Sequence, residues 1–168
     1  VNGNGVRNAG ADAPIAGATV RLLNATTGAL VATATTDGTG AYTFTGLDPF
    51  TPYTLEEPLP TSVPNLVNGV VNPGLINGVA CAGGCTAQPN TPSADTDRIA
   101  VIDLGSTQDG TQFNFGERQL AVIRGTVYSD RNANNTREAG TDGGIAGVTL
   151  TLHQGADCTA PQVGTTTT

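Results

Sequence analysis

Apolar residues recur at every second position in several short stretches of the chain. Ala18, Val20 and Leu22 alternate with Thr19 and Arg21, the period of a half-buried strand. The same reading predicts strands over 29–36, 53–56, 98–104 and 112–115, and one that places Tyr42 and Phe44 on a shared face. Turn formers separate them, as in Asp37-Gly38-Thr39-Gly40, and no segment sustains a helical period. The stretch from Pro58 to Thr96 is rich in Pro, Gly and Asn, and reads as a long surface excursion with one short strand near Val70. Many short strands between turns predict an all-β fold, an antiparallel β-sandwich.

The chain also matches itself. At an offset of 130, residues 1–23 lie over 131–153 with identities at Asn2, Asn4, Arg7, Ala9, Gly10, Asp12, Ile15, Ala16, Gly17, Thr19 and Leu22. Two unrelated Gly/Asn-rich turns would not share Ile-Ala-Gly and the strand after it. A strand over 119–129, with Ile123, Gly125 and Val127 on one face, precedes the second copy. The expected organisation is a module over 1–118 that lacks its first strand, with 58–97 as its excursion. The opening strands of a second, homologous module would follow over 119–168, as in a register cut from a tandem array.

Composition narrows the classes. The net charge is −7, all seven basic residues are Arg, and no Lys is present. That balance disfavours nucleic acid and anionic lipid as partners. No apolar run reaches the length of a membrane span, and no signal peptide is evident. Cys81 and Cys85, in Cys-Ala-Gly-Gly-Cys, are too few with the single His153 for a zinc site and read as a disulfide, which places the chain in an oxidising compartment. Cys158 has no evident partner in the sequence.

The run Gly125-Thr-Val-Tyr-Ser-Asp-Arg-Asn-Ala-Asn, followed by Gly144-Ile-Ala-Gly-Val-Thr-Leu-Thr-Leu, resembles the B-type repeats of Sdr surface proteins and related prealbumin-like, Cna-B-like modules. Thr36-Asp-Gly-Thr-Gly-Ala-Tyr-Thr-Phe-Thr-Gly-Leu and Tyr53-Thr-Leu-Glu-Glu-Pro resemble the middle strands of that family, and Thr111-Gln-Phe-Asn-Phe-Gly-Glu its last. The resemblance implies Ig-like, prealbumin-like sandwich modules in tandem, serving as rod segments of bacterial surface proteins, with an Asp/Asn loop that binds calcium. Pilin relatives carry Lys–Asn isopeptide cross-links assisted by an acid. Without lysine this chain makes none internally, which leaves Glu56 or Glu57, near the position of that acid, structural or incidental.

In the loop from Asp130 to Asp142, oxygen-bearing side chains recur at alternate positions, as a hard cation wanting six to eight oxygens requires. Asp130, Asn132 and Asn134 are assigned as side-chain ligands and Thr136 as a carbonyl ligand. Asp142 closes the shell, and Glu138 acts directly or through water. The first copy offers Asn2, Asn4, the Val6 carbonyl, Asn8 and Asp12. Two carboxylates among neutral amides suit millimolar extracellular Ca2+. The competing reading is an Asx-turn loop whose side chains satisfy their own backbone.

Other chemistry is thin. His153 and Cys158 read as an exposed histidine and a disulfide cysteine, and period 2 points Glu56 and Glu57 to opposite faces. Asp95 and Asp97 read as a solvated loop, and the Gly-rich stretch at Cys81 lacks the Lys and helix of a phosphate cradle. The expectation is a non-enzymatic extracellular or cell-surface module of a stalk or filament, with no small-molecule substrate. Its partners would be neighbouring copies, joined covalently in tandem or head to tail. The alternative is an adhesin that recognises a protein or carbohydrate through 58–97, a stretch without Trp, Tyr or Phe.

Overall fold

In the computed structural model the described residues are 7–8, 10–81, 85–87, 96–155 and 158–168. They form an all-β structure without helices, and none of it is a helix long and apolar enough to cross a membrane. Contacts divide the chain into two units, Val1–Leu120 and Ala121–Thr168.

The first unit is built on a five-stranded antiparallel sheet of order β2-β1-β3-β8-β7, comprising β1 (Thr19–Asn24), β2 (Leu30–Thr35), β3 (Pro52–Pro58), β7 (Thr86–Ala87) and β8 (Thr96–Asp103). A three-stranded sheet, β6-β5-β9, joins β5 (Asn72–Ile76), β6 (Val79–Ala80) and β9 (Gly110–Asn114). β4 (Leu66–Asn68) pairs separately with β10 (Glu117–Gln119). The expected alternation on β1 is realised, with Ala18, Val20 and Leu22 buried. These join Tyr53, Leu55, Ile99, Ile102, Val71 and Phe113 in one core between the sheets, flanked by Tyr42 and Phe44.

Strict alternation fails on β8, for a physical reason. Val101 takes a left-handed φ of 59°, and the register against β3 slips between Tyr53↔Ile102 and Leu55↔Ile99. This bulge lets Ile99 and Ile102, three residues apart, both face inward.

Three expectations need correction. The Tyr42–Phe44 stretch supplies aromatic packing, with rings 5.9 Å apart, but it is not a regular strand. The strand over 119–129 is absent: β10 ends at Gln119, and only the isolated bridge Tyr128↔Gly144 follows. The excursion is no simple surface loop. It contributes β4 to β7 and buries Val71 and Asn68, because alternate small and apolar residues there find edges at β8, β9 and β10 to pair with.

Gly74 shows how tightly this region packs. Its φ is +81°, and a Cβ there would stand 2.6 Å from the ring of Phe113. Gly74→Ala must therefore move a core ring and accept a left-handed backbone, at about 1–3 kcal/mol. Urea denaturation that showed no loss would overturn this account of the packing.

The second unit holds β11 (Thr149–His153) paired with β12 (Gln162–Thr167). Its hydrogen bonds repeat those of the first hairpin. Thr36 Oγ1 donates to Ile15 O (2.7 Å) and accepts from Ala18 N (2.9 Å). Thr168 Oγ1 does the same with Ile145 O (2.8 Å) and Val148 N (3.1 Å). Gly17 N to Thr36 O (2.9 Å) and Gly147 N to Thr168 O (2.8 Å) correspond in the same way.

Candidate functional site

The loop from Asp130 to Asp142 is curled by two left-handed residues, Ala133 (φ 58°) and Asn135 (φ 60°). The curl turns the alternate side chains toward one another. Asn132 Nδ2 donates to Glu138 Oε2 (2.8 Å), and Asn134 Nδ2 donates to Glu138 Oε1 (3.1 Å). The Asp130 carboxylate accepts the backbone N–H groups of Asn134 (3.3 Å) and Asn135 (2.8 Å). Asn132 Oδ1 and Asn134 Oδ1 accept from the N–H groups two residues on, at 3.2 and 2.8 Å. Asp130, Asn132, Asn134 and Glu138 thus gather at one end of the loop.

Asp142 is buried and turned to the backbone. Its Oδ1 accepts from Arg131 N (3.2 Å) and its Oδ2 from Glu138 N (3.0 Å), so it staples the two ends of the loop. Thr136 enters through its N–H, bonded to Asn134. Among the described residues no three Asp, Glu, His or Cys side chains converge as a metal cluster. The oxygen set at this loop is mixed, with amides between carboxylates, and an amide turns either its nitrogen or its oxygen inward by a simple flip. Hard oxygen donors of this kind fit calcium, and the same contacts also make a set of Asx turns.

In the first copy Asn2, Asn4 and Val6 lie outside the described residues. Asn8 and Asp12 reproduce the staple. Asn8 N donates to Asp12 Oδ2 (2.9 Å), and Asn8 O accepts from Ala11 N (3.1 Å) and Asp12 N (3.0 Å). Glu138 and Asp142 make the corresponding bonds, with Glu138 O accepting from Thr141 N (3.3 Å) and Asp142 N (3.0 Å).

Cys81 and Cys85 are joined by a disulfide, their Cα atoms 5.6 Å apart. Cys158 is an exposed free thiol. His153 is half-buried, its Nδ1 2.7 Å from Ala160 O, rather than exposed.

A group of acids in the first unit was not read from the sequence. Tyr53, Leu55 and Glu57 share the inner face of β3, so the alternation that buries the first two also carries Glu57 inside. Its register partner on β8 is Asp97, and Glu117 on β10 pairs in register with Asn68 on β4. Asp97 is buried in a strand, which corrects its reading as a solvated loop; Asp95 lies outside the described residues. Glu56 does point the other way, yet it is also buried, in an ion pair with Arg98.

Burial pushes the Glu57 carboxyl up to about 9, with repulsion from Glu117 and Asp97 adding to it. Burial raises Glu117 to about 7, helped by Asp97. Asp97 rises to about 6 through burial, while a hydrogen bond from Asn68 pulls the other way. Among the described residues no arginine is ion-paired with any of the three. The signal was available in the alternations Leu55-x-Glu57 and Asp97-x-Ile99, each of which ties an acid to a core residue.

Compared with known proteins, the chain matches no curated protein and no solved structure. A family model matches residues 1–69. Modules of that family are typical of bacterial surface proteins and generally non-enzymatic, and the Sdr B repeats are calcium-binding modules. The match runs through the Asp12 staple, the first hairpin, β3 and β4: residues 1–69 of this chain match the model of the SdrD B-like domain.

Proposed function

We propose that the chain is a structural segment of an extracellular repetitive surface protein, a stalk or filament in which modules of this kind follow one another and are stiffened by calcium and a disulfide. The observation that carries this reading is the repetition of one hydrogen-bonded unit. The Asp12 staple and Thr36 clamp recur as the Asp142 staple and Thr168 clamp, in a segment that repeats the sequence at an offset of 130. Two copies of one folding unit in one chain are what a tandem array contains. In this reading 119–168 opens a second module homologous to 1–118.

Asp130, Asn132, Asn134 and the Thr136 carbonyl would hold the ion, with Glu138 and Asp142 completing the shell; Asn2, Asn4, the Val6 carbonyl, Asn8 and Asp12 are the corresponding set. Bound calcium supplies a charge that neutralises the gathered carboxylates and fixes the curl. The chain's own contribution is to hold the loop ends together through Asp142, so that little order remains to be gained on binding.

Calcium is therefore expected to raise the stability of the second unit by about 1.4 kcal/mol at ten times its Kd. Thermal unfolding followed with and without a chelator reads this, and Asp130→Ala should remove the response. An unchanged melting curve on chelation would overturn the calcium assignment. Electron micrographs of the native material test the array separately, and isolated globular particles would overturn it.

A further inference from the structure

The first unit carries an open cleft of about 160 Å3 over its acid cluster, lined by Val20, Tyr42, Val70 and Phe115, with Glu57 and Glu117 among its walls. That volume suits one large side chain and its neighbours rather than a whole domain. Glu57 is 3% exposed. Among the described residues its Oε2 and both oxygens of Glu117 have no hydrogen-bond partner. Buried carboxylates are ordinarily paired, because leaving them unpaired costs several kcal/mol. The arginines at the rim, Arg7 and Arg118, make no ion pair with them, and Arg7 Nη2 donates instead to Thr39 O (2.8 Å).

The chain also carries a segment with matching chemistry. Residues 121–126 make no backbone hydrogen bond among the described residues. Leu120, Val122 and Ile123 are exposed at 54%, 57% and 81%, and Arg124 beside them is exposed. An unpaired apolar stretch of this kind is a template for docking in extended form. In an extended segment Val122, Arg124 and Thr126 share one face, so an apolar group and a guanidinium enter a cleft together.

We propose that this cleft is a binding site for a cationic extended segment, and that its occupant is 121–126 of a second copy of the chain, with the Arg124 guanidinium meeting Glu57 and Glu117. Charge complementarity selects this occupant: an acid-lined apolar cleft takes a cation carried on an apolar strand. The inference deepens the array reading by naming a contact between copies. The peptide experiment below reads the cleft alone, so it can fail while the array stands.

The titratable and charged groups lining the site are Glu57, Glu117, Tyr42, Arg7, Arg118 and Asp12, with Asp97 paired in register with Glu57 on β8. The carboxylates must give up their protons to pair with the guanidinium, so binding tightens as pH rises and releases protons. Burial raises all three, Glu57 most, and repulsion adds to it at Glu57 and Glu117.

The test is calorimetric titration of the full chain with a synthetic peptide of residues 119–129, at pH 6 and pH 8. Saturable one-site binding is expected, tighter at pH 8, with a heat that depends on the buffer's ionisation enthalpy. Arg124→Gln in the peptide should weaken it about 30-fold or more. Glu57→Gln in the chain should do the same, with Glu117→Gln as the second variant should the first not fold. Sedimentation velocity should show concentration-dependent self-association that Arg124→Gln abolishes. No peptide binding, equal binding of the Arg124→Gln peptide, or binding indifferent to pH would overturn the proposal. Equal binding of an arginine peptide without the apolar residues would also overturn it, by assigning the cleft to another cationic partner.

Discussion

Raising the pH from 5 to 9 is expected to destabilise the first unit by roughly 2–4 kcal/mol. In the unfolded chain Glu57, Asp97 and Glu117 lose their protons near the ordinary carboxylate values. In the folded unit they hold them up to about 9, 6 and 7. Between those limits the folded state binds more protons than the unfolded one, so stability falls as pH rises. The contribution is full below the unfolded values and is lost in steps through about 6, 7 and 9. Asp37, held low first by the Thr39 hydroxyl and then by the N–H groups of Ala41 and Thr39, acts only below this window. Urea titrations followed by the methyl signals of Val20 and Ile99 report the first unit directly. Glu57→Gln should flatten the slope above pH 8, where Glu57 is the one of the three acids still titrating. A stability that rises from pH 5 to 9, or a slope that Glu57→Gln leaves untouched, would refute the account.

The same cluster shows why part of the molecule was legible in the sequence and part was not. Period-2 alternation found β1, β2, β3, β8 and β9 because each presents apolar residues to one core, and the packing enforces the period. Alternation alone does not place Ile102 on the same face as Ile99, because the left-handed Val101 resets the phase, and no local composition announces a bulge at a β-branched residue. The residues of the 58–97 excursion looked like loop because Asn68, Pro73 and Gly74 are poor strand formers in isolation. Tertiary partners decide there: Pro73 pairs with Phe113, and Gly74 makes room for that ring. The acids were legible in principle. Glu57 was judged against its neighbour Glu56, when its burial follows from Leu55 two residues away. The Asp/Asn loop was read from its spacing, and the contacts among Asn132, Asn134 and Glu138 gather those residues. What spacing did not reveal is that Asp142 accepts from the backbone, a role set by the turn at Glu138.

The sequence repeat allows one substitution to be made twice in equivalent places, with very different outcomes expected. Leu22 and Leu152 stand 130 residues apart on the first strand of each hairpin, at equivalent positions of two antiparallel ladders. Leu22 is 3% exposed and packs in the core with Val20, Leu55 and Ile99, whereas Leu152 is 49% exposed. Leu22→Ala removes three buried carbons and leaves a void that the surrounding strands only partly close, which costs about 2–5 kcal/mol. Leu152→Ala gives up little buried area and should stay within about 0.5 kcal/mol. Backbone hydrogen bonds are the same in kind at both sites, so the comparison separates what the ladder contributes from what the core contributes. Urea midpoints of the two variants at pH 6, read from methyl signals of each unit, measure the difference, and an unchanged m-value keeps it a statement about stability. Equal losses at both sites would mean that Leu152 is covered by some partner in solution. Equal and negligible losses would mean that the hairpin, not the core, holds the first unit together.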